Sequence, residues 1–556
     1  MNSAQRYGAF LADNVTSVTI TNTRVFSNTA TDSGITTENA GRFGGFAVFN
    51  VTGDVNISGG SVVGNFAERE RAGLQVSNVT GNVTISGLDV IGNTANQERG
   101  GMSIFTVAGN VSLSDLTIAG NIAPNGRVGG LEISTDTFAT NGNCNFAQLR
   151  PASLTNVVVR GNFAATNTGG LRIFCSGAVA MSGMSIESNE VSGSTVASVG
   201  GGLGAGQLFN NTSVTLTNST ISGNKTYSNP IDQSGGFGNL GLYGNGSVVI
   251  SGVTVKGNWV EQNEAGITVF AQSGTSPAGT VSIENSAFYD NRAKGLMGLW
   301  INGAGTYSIK NTTFAGNSST ATGGTVVGLN AHTGSSAPIN VSLENVTIAR
   351  NGPNDNPFTD GAFAPSPTVP VPNLNLTIKN SILGQYQAVN GPGAFLNGTS
   401  GYNYTIQNSL FENTNLPSGV CGTNGVICGV DAKLESLNHN GGNTMTLALR
   451  PGSAALDSGA VTTLTTDQRG AGFPRVVGAA VDMGAFESPA LTAATPCKLD
   501  MDGDNQVTAT KEGLVLLRAM LGFSEANAVP GTGISQSQWN TTRVNLNANC
   551  GTIFAP

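Results

Sequence analysis

Four arginines recur at nearly constant spacing. Arg42, Arg71, Arg99 and Arg127 are separated by 29, 28 and 28 residues, each just ahead of a glycine pair or an Ala-Gly step. Glu68, Glu70 and Glu98 lie beside them. Guanidiniums stacked one per repeat can grip the carboxylates of an acidic sugar chain. With acids as neighbours they also form an exposed ion-pair ladder that keeps an edge soluble, and the interleaved glutamates favour that second use. A second set is Asp500, Asp502 and Asp504. Alternate carboxylates make an oxygen-rich cradle for Ca2+, with the Gln506 carbonyl as a further ligand. Lys511 stands where the bidentate acid of such a loop belongs, and Glu512 follows one residue late. Weak Ca2+ binding through Asp500, Asp502, Asp504, Gln506 and Glu512 is the expectation, with an acidic turn that caps the next helix as the alternative. Asp467, Arg469, Arg475, Asp482 and Glu487 form a third, mixed-charge group. Its simplest use is a salt-bridged cap over the end of a sheet structure. His332 and His439 have no nucleophile or metal partner at useful spacing. Trp259, Trp300, Tyr289 and Phe288 are candidates for a sugar-stacking platform, although packing between neighbouring strands is the simpler use.

A repeat positions these residues. Gly44 opens GGFAVFNVTGDVNISGGSVVGN, Ala72 opens AGLQVSNVTGNVTISGLDVIGN and Gly100 opens GGMSIFTVAGNVSLSDLTIAGN. Units close on Asn65, Asn93, Asn121, Asn162, Asn189, Asn224, Asn258, Asn291, Asn317 and Asn351, spaced by 28, 28, 41, 27, 35, 34, 33, 26 and 34 residues. A recurring unit of this length marks a solenoid. Short runs of Val, Ile, Thr and Phe between Gly and Asn read as strands. Three strands per unit predict three parallel sheets, with inward and outward side chains alternating. Asparagine tolerates left-handed backbone, so Asn65, Asn93 and Asn121 are expected to stack at one corner. The fold class is therefore all-β: a right-handed single-stranded parallel β-helix over residues 1–430, followed by a C-terminal cap over 431–490 and a small helical, calcium-loop-like segment over 491–556. A β-propeller blade needs four strands over ~40–50 residues, which a 28-residue unit does not supply.

Composition narrows the partners. The chain has 556 residues, of which 39% are hydrophobic and only 10% charged, and a net charge of −8. The apolar share argues against disorder, and the acidic balance argues against a general nucleic-acid binder. No run of ~18 apolar residues is present, so no transmembrane helix is expected. The first residues read as the inside of a repeat, which places an expected export signal upstream. Of six cysteines, Cys144 and Cys175 lie about one repeat apart, Cys421 and Cys428 bracket a small loop, and Cys497 and Cys550 bracket the final segment. Disulfides Cys421–Cys428 and Cys497–Cys550 are expected, in an oxidising compartment, with free buried thiols as the alternative.

Over residues 1–430 the organisation resembles the pectate-lyase-like superfamily of parallel β-helices, which includes lyases, hydrolases, tailspikes and adhesins. The resemblance implies the fold and leaves the activity open. Hydrolases of this group gather several Asp with a His and an Arg-x-Lys, and no such constellation is expected here, where no Asp-Asp pair or Gly-His-Gly occurs. Residues Asn440–Thr444, Pro451–Asp457, Asp467–Gly470 and Asp482–Glu487 resemble the motifs of the choice-of-anchor Q domain, which implies an exported surface protein and no reaction. Residues from Asp500 onward resemble one dockerin or EF-hand half-unit. These features predict a secreted or cell-surface, non-catalytic monomer that presents a rigid face to a polysaccharide or a host or cell-surface ligand. A polysaccharide lyase or glycoside hydrolase is the alternative.

Overall fold

In the computed structural model, the described residues are 3–4, 8–31, 42–136, 144–192, 204–227, 240–244, 246–261, 266–270, 279–294, 296–319, 325–330, 338–351, 363–365, 374–384, 402–412, 416, 418–489, 499–504, 506–521, 523 and 525–549. His332, Cys497 and Cys550 lie outside them, so the expected Cys497–Cys550 bridge does too. The chain divides into two compact units, Met1–Glu487 and Ser488–Pro556.

The first unit is the expected right-handed parallel β-helix. Its strands form sheets of 12, 23 and 11 members, and every ladder is parallel, as in Leu74–Val79 beside Phe46–Val51 and Met102–Val107. Val48, Val76, Ile104, Ile133 and Ile173 align on successive coils. All five are fully buried, and each contributes about 1.5–3 kcal/mol by leaving water.

The coil differs from the expected three-strand plan in one respect. The second and third strands of a unit, such as Val83–Ser86 and Asp89–Ile91, belong to the same bent 23-stranded sheet. The remaining sheet is built from two-residue strands directly after the closing Asn, such as Thr94–Ala95. Two residues are too short to show an alternating pattern in sequence. Just before the long strand, a Cβ on Gly101 would collide with the carbonyl of Gly130 in the next coil. The glycine pair is therefore a close-approach requirement.

The asparagine corner is a continuous ladder. Asn28, Asn65, Asn93, Asn121, Asn162, Asn189, Asn224, Asn258, Asn291, Asn317 and Asn351 each donate or accept an amide hydrogen bond with the next coil, at 2.8–3.0 Å. Asn162 shows the full pattern. Its Nδ2 donates to Asn189 Oδ1 at 2.9 Å and to the Ile118 carbonyl at 2.9 Å. Its Oδ1 accepts the backbone N–H of Asn121 at 2.9 Å and the Nδ2 of Asn121 at 3.0 Å. Both donors and both lone pairs are used, so the amide stays buried without an unsatisfied group.

Residues 431–487 belong to the same compact unit as the coils. They do not sit as a plug over the last coil. They run back along the bend of the 23-stranded sheet and bond one coil after another. Thr444 Oγ1 donates to the Asn285 carbonyl at 3.1 Å, Asn311 Nδ2 to the Thr466 carbonyl at 2.8 Å, and Asn345 Nδ2 to the Gly484 carbonyl at 3.2 Å. Asn380 Nδ2 donates to the Ala460 carbonyl at 2.8 Å, and Asn408 Nδ2 to the Ser458 carbonyl at 3.2 Å. The core end is instead packed by Leu416, Val420 and Cys428, in a loop closed by the expected Cys421–Cys428 disulfide. Cys144 and Cys175 are also bridged.

The second unit holds helices α1 (Glu512–Met520), α2 (Glu525–Ala528) and α3 (Gln536–Asn549). Met501, Val515, Ala528, Ile534, Trp539 and Leu546 form its core. Ser535 and Gln538 exchange side-chain-to-backbone bonds at 3.2 and 2.8 Å, a capping box that starts α3.

Replacing Asn162 by Ala should orphan Asn121's two N–H donors and the Ile118 carbonyl, at about 1–3 kcal/mol per lost partner. Urea denaturation should show a loss of at least ~3 kcal/mol, whereas Asn110→Ala, at an exposed turn, should stay within ~0.5 kcal/mol. Equal effects of the two would show that the ladder carries no special weight.

Candidate functional site

The arginine series lies along the outer face of the 12-stranded sheet. In register across its coils run Gln75, Ser103, Glu132, Arg172 and Gln207. These point away from the core because each sits between inward residues such as Leu131 and Ile133. The next outward position carries Phe49, Ser77, Phe105 and Ser134 in one run, and Phe174 and Phe209 in another. Arg71 and Arg99 take left-handed backbone, with φ of 58° and 26°. A non-glycine residue held there is costly and marks a constrained position.

Acids and bases alternate along this face. Glu70 contacts Arg71 at 2.9 Å and Arg42 at 3.7 Å. Glu98 pairs with Arg99 and Arg127, and Glu132 pairs with Arg99 and Arg172. Arg172 Nε also donates to Gln207 Oε1 at 3.3 Å. The guanidiniums cover aromatic rings. Arg99 lies 4.7 Å from the Phe105 centroid, and Arg172 lies 4.4 and 4.9 Å from those of Phe174 and Phe209, which stack at 5.1 Å. The Cys144–Cys175 bridge and Leu149 pack beside the same rings. Arg127 is the open member, with 48% of its side chain exposed.

The electrostatics follow from this packing. Burial would raise the Glu132 carboxyl, but Arg99 and Arg172 outweigh it and hold the group at about 2. A carboxylate so held stays ionised and offers no proton near neutrality. Burial and then the Arg99 charge push Arg71 down, against the pull of Glu70 and Glu98. The open part of this face can therefore hold polar or anionic groups through Arg127, while Arg99 and Arg172 cover the rings of Phe105, Phe174 and Phe209.

The structure brings together Arg42, Arg71, Arg99 and Arg127 with Glu70 and Glu98, as an ion-paired ladder. Sequence spacing did not reveal Glu132 or Arg172. The signal was their shared register, two residues past the respective glycine pairs at 129–130 and 169–170. The supposed aromatic platform does not assemble. Phe288 is fully buried and stacks on Phe314, Trp259 packs on Tyr227 in another sheet, and only Trp300 lies on the 12-stranded sheet. Arg292-Ala293-Lys294 is an Arg-x-Lys triplet, but its Arg292–Ala293 strand belongs to the two-residue sheet. His439 is exposed.

The mixed-charge group does assemble, within residues 467–487. Arg469 pairs with Asp467 at 2.6 Å and lies 4.1 and 4.0 Å from the rings of Phe473 and Phe486. Arg475 pairs with Glu487 at 2.9 Å, both fully buried. Asp482 accepts the Asp457 N–H at 2.7 Å. These pairs tie residues 431–487, a strap along the coils, to one another, and Arg475 Nη1 also donates to Asn311 Oδ1 of a coil at 3.3 Å.

Within the second unit, oxygens of Asp500, Asp502 and Asp504 lie within 4.8 Å of one another. Glu512 does not join them. Its Oε2 accepts the Thr508 N–H at 2.8 Å and the Thr508 hydroxyl at 3.2 Å, and the Gln506 N–H is bonded to Asp504. Lys511 Nζ is held by Asp502 and Asp504. As arranged, Asp502 and Asp504 hold an ammonium, and Glu512 stands apart from the three aspartates.

Glu132→Gln should cost about 3–5 kcal/mol at pH 7, because two arginines lose their counter-charge. Glu132's folded pKa lies below its ordinary 4.5, so its contribution is present above 4.5 and lost as pH falls toward about 2. The gap between variant and wild type in denaturation midpoint should therefore close over that window. Burial pushes Glu487 the other way, up to about 7, but its effect is common to both proteins and cancels. A gap that persists unchanged at pH 2 would contradict the assigned pairing.

No protein-family model and no curated protein matches the chain. Among solved structures, the chain is similar to the crystal structure of pectate lyase Pel9A, at 12% identity and a TM-score of 0.28, with 86% of this chain and 97% of that one covered. The fold assignment rests on the parallel strand register itself.

Proposed function

We propose that this chain is a secreted or cell-surface β-helix that binds polysaccharide along the outer face of its 12-stranded sheet and does not cleave it. The observation that carries this reading is the Arg99–Glu132–Arg172 array over Phe105, Phe174 and Phe209. Glu70, Glu98 and Glu132 are each tied to guanidiniums. Glu132, held at about 2, is not the raised-pKa acid that glycoside hydrolysis uses. Arg127, with about half of its side chain open to solvent, is the guanidinium a ligand can reach, and an anionic glycan is the ligand class it favours. The resemblance of residues 440–487 to choice-of-anchor Q motifs supports the surface location.

Immobilised uronate-containing and neutral polysaccharides provide the test. Saturable binding to the acidic chains is expected, weakening as salt rises above ~0.15 M. Arg127→Ala, which removes an exposed group, should weaken binding about fivefold with no loss of fold. New reducing ends, or unsaturated products absorbing in the ultraviolet, would replace this reading with that of a hydrolase or lyase. Binding unaffected by salt and by Arg127→Ala would remove the site from this face.

A further inference from the structure

The loop before α1 has three carboxylates in the order of a calcium loop, yet two of them already hold an ammonium from within the segment. Lys511 Nζ lies 2.7 Å from Asp502 Oδ2 and 2.8 Å from Asp504 Oδ2. One oxygen of each carboxylate holds backbone, that of Asp502 accepting the Asp504 N–H at 3.2 Å. Asp500 Oδ1 accepts the N–H groups of Gly503 and Asp504 at 2.8 and 3.1 Å. Asp504 Oδ1 accepts that of Gln506 at 2.8 Å. Lys511 is the twelfth residue from Asp500, where a calcium loop places its bidentate acid. Here that position supplies a positive charge. Glu512, next in line, is buried and bonded to Thr508.

We propose that Lys511 is the resident cation of this loop: its ammonium takes the place of the divalent ion, and the segment folds without calcium. Two features argue for it. The ammonium is tethered seven and nine residues from its partners, so it competes at an effective concentration in the millimolar range without leaving the site. A calcium ion must displace it, and then finds no bidentate acid to complete its shell. The lowered pKa of Asp502, owed first to the Lys511 hydrogen bond, agrees with this arrangement.

The experiment uses the full chain, with Ca2+ alone as probe, read by calorimetry and by hydrogen exchange over residues 499–549. Wild type should give no binding heat at about 1 mM Ca2+ and should exchange equally in Ca2+ and in chelator. Lys511→Glu should gain Ca2+ binding at least tenfold tighter, toward the ~10⁻⁴–10⁻³ M range of extracellular modules. Lys511→Gln should exchange at least tenfold faster in chelator and recover with Ca2+. Should Lys511→Gln leave the segment unfolded, adding Asp502→Asn and Asp504→Asn removes the repulsion and should restore protection. Wild-type binding heat with Ca2+-dependent protection would overturn the proposal. So would a Lys511→Gln variant that exchanges like wild type in chelator, or a triple variant that stays unfolded.

Discussion

The stack of buried asparagine amides is the constraint on which the rest of the first unit depends. Parallel strands of Val and Ile are nearly interchangeable, and a slip of one residue would still offer apolar groups to a core while turning the wrong face inward. The amide removes that freedom. Asn162 has its two donors and two acceptor sites filled only in the observed register, and any other would bury unsatisfied polar groups at about 1–3 kcal/mol each. The same corner explains which insertions are tolerated. Asn121 and Asn162 are 41 residues apart, against 28 for the previous step, yet the bond between them is still 3.0 Å. The extra chain leaves between Ser134 and Ala152, past the outer edge of a strand, and the ladder is undisturbed.

A fixed register also dictates what the outer face can be. Every coil repeats the same position at one strand spacing, ~4.8 Å, so like charges placed there would repel strongly. Interleaving solves this: Glu132 sits between Arg99 and Arg172, and Glu98 between Arg99 and Arg127. The consequence for chemistry is direct. Charges that neutralise one another along a ladder are poor proton donors and acceptors, but they leave an ordered row of guanidinium edges beside aromatic rings. Such a row suits recognition of a long, repetitive ligand more than attack on a single bond.

The closing asparagines, the glycine pairs and the parallel stacking were legible in the sequence because each recurs at coil length and each has one strong backbone requirement. The two-residue sheet was not, since Thr94–Ala95 and its fellows are too short to alternate inward and outward, although a small buried residue (Ala30, Ala67, Ala95, Ala123, Ala164) stands two places after each closing Asn from Asn28 to Asn162. The arginine ladder was visible as spacing, but its partner Glu132 was not, because one acid in a polar row looks like any exposed strand residue until register places it between two arginines. The charged residues at 467–487 were recognisable as a group, and their place was not. Placement depends on asparagines more than a hundred residues away, Asn311 and Asn345, and no local pattern encodes that distance.

Those distant asparagines carry a signal of their own. The bend of the 23-stranded sheet needs a left-handed residue in each coil. Earlier coils supply it with Asn22, Gly59, Gly87, Asp115, Asn156, Gly183, Asn218 and Gly252, and the five that follow with Asn285, Asn311, Asn345, Asn380 and Asn408. Glycine would satisfy the backbone equally well at lower strain, so backbone geometry alone does not explain five asparagines in succession. Their side chains do. Asn311, Asn345, Asn380 and Asn408 each donate to the strap, while Asn285 lends its carbonyl. Bend chemistry thus divides one continuous helix into a stretch whose bends answer only to the coil and a stretch whose bends also hold residues 444–487. Arg475 joins strap and coil, since its Nη1 donates to Asn311 Oδ1 at 3.3 Å while its Nη2 pairs with buried Glu487 at 2.9 Å, and parting that pair would leave a charge uncompensated at about 3–5 kcal/mol.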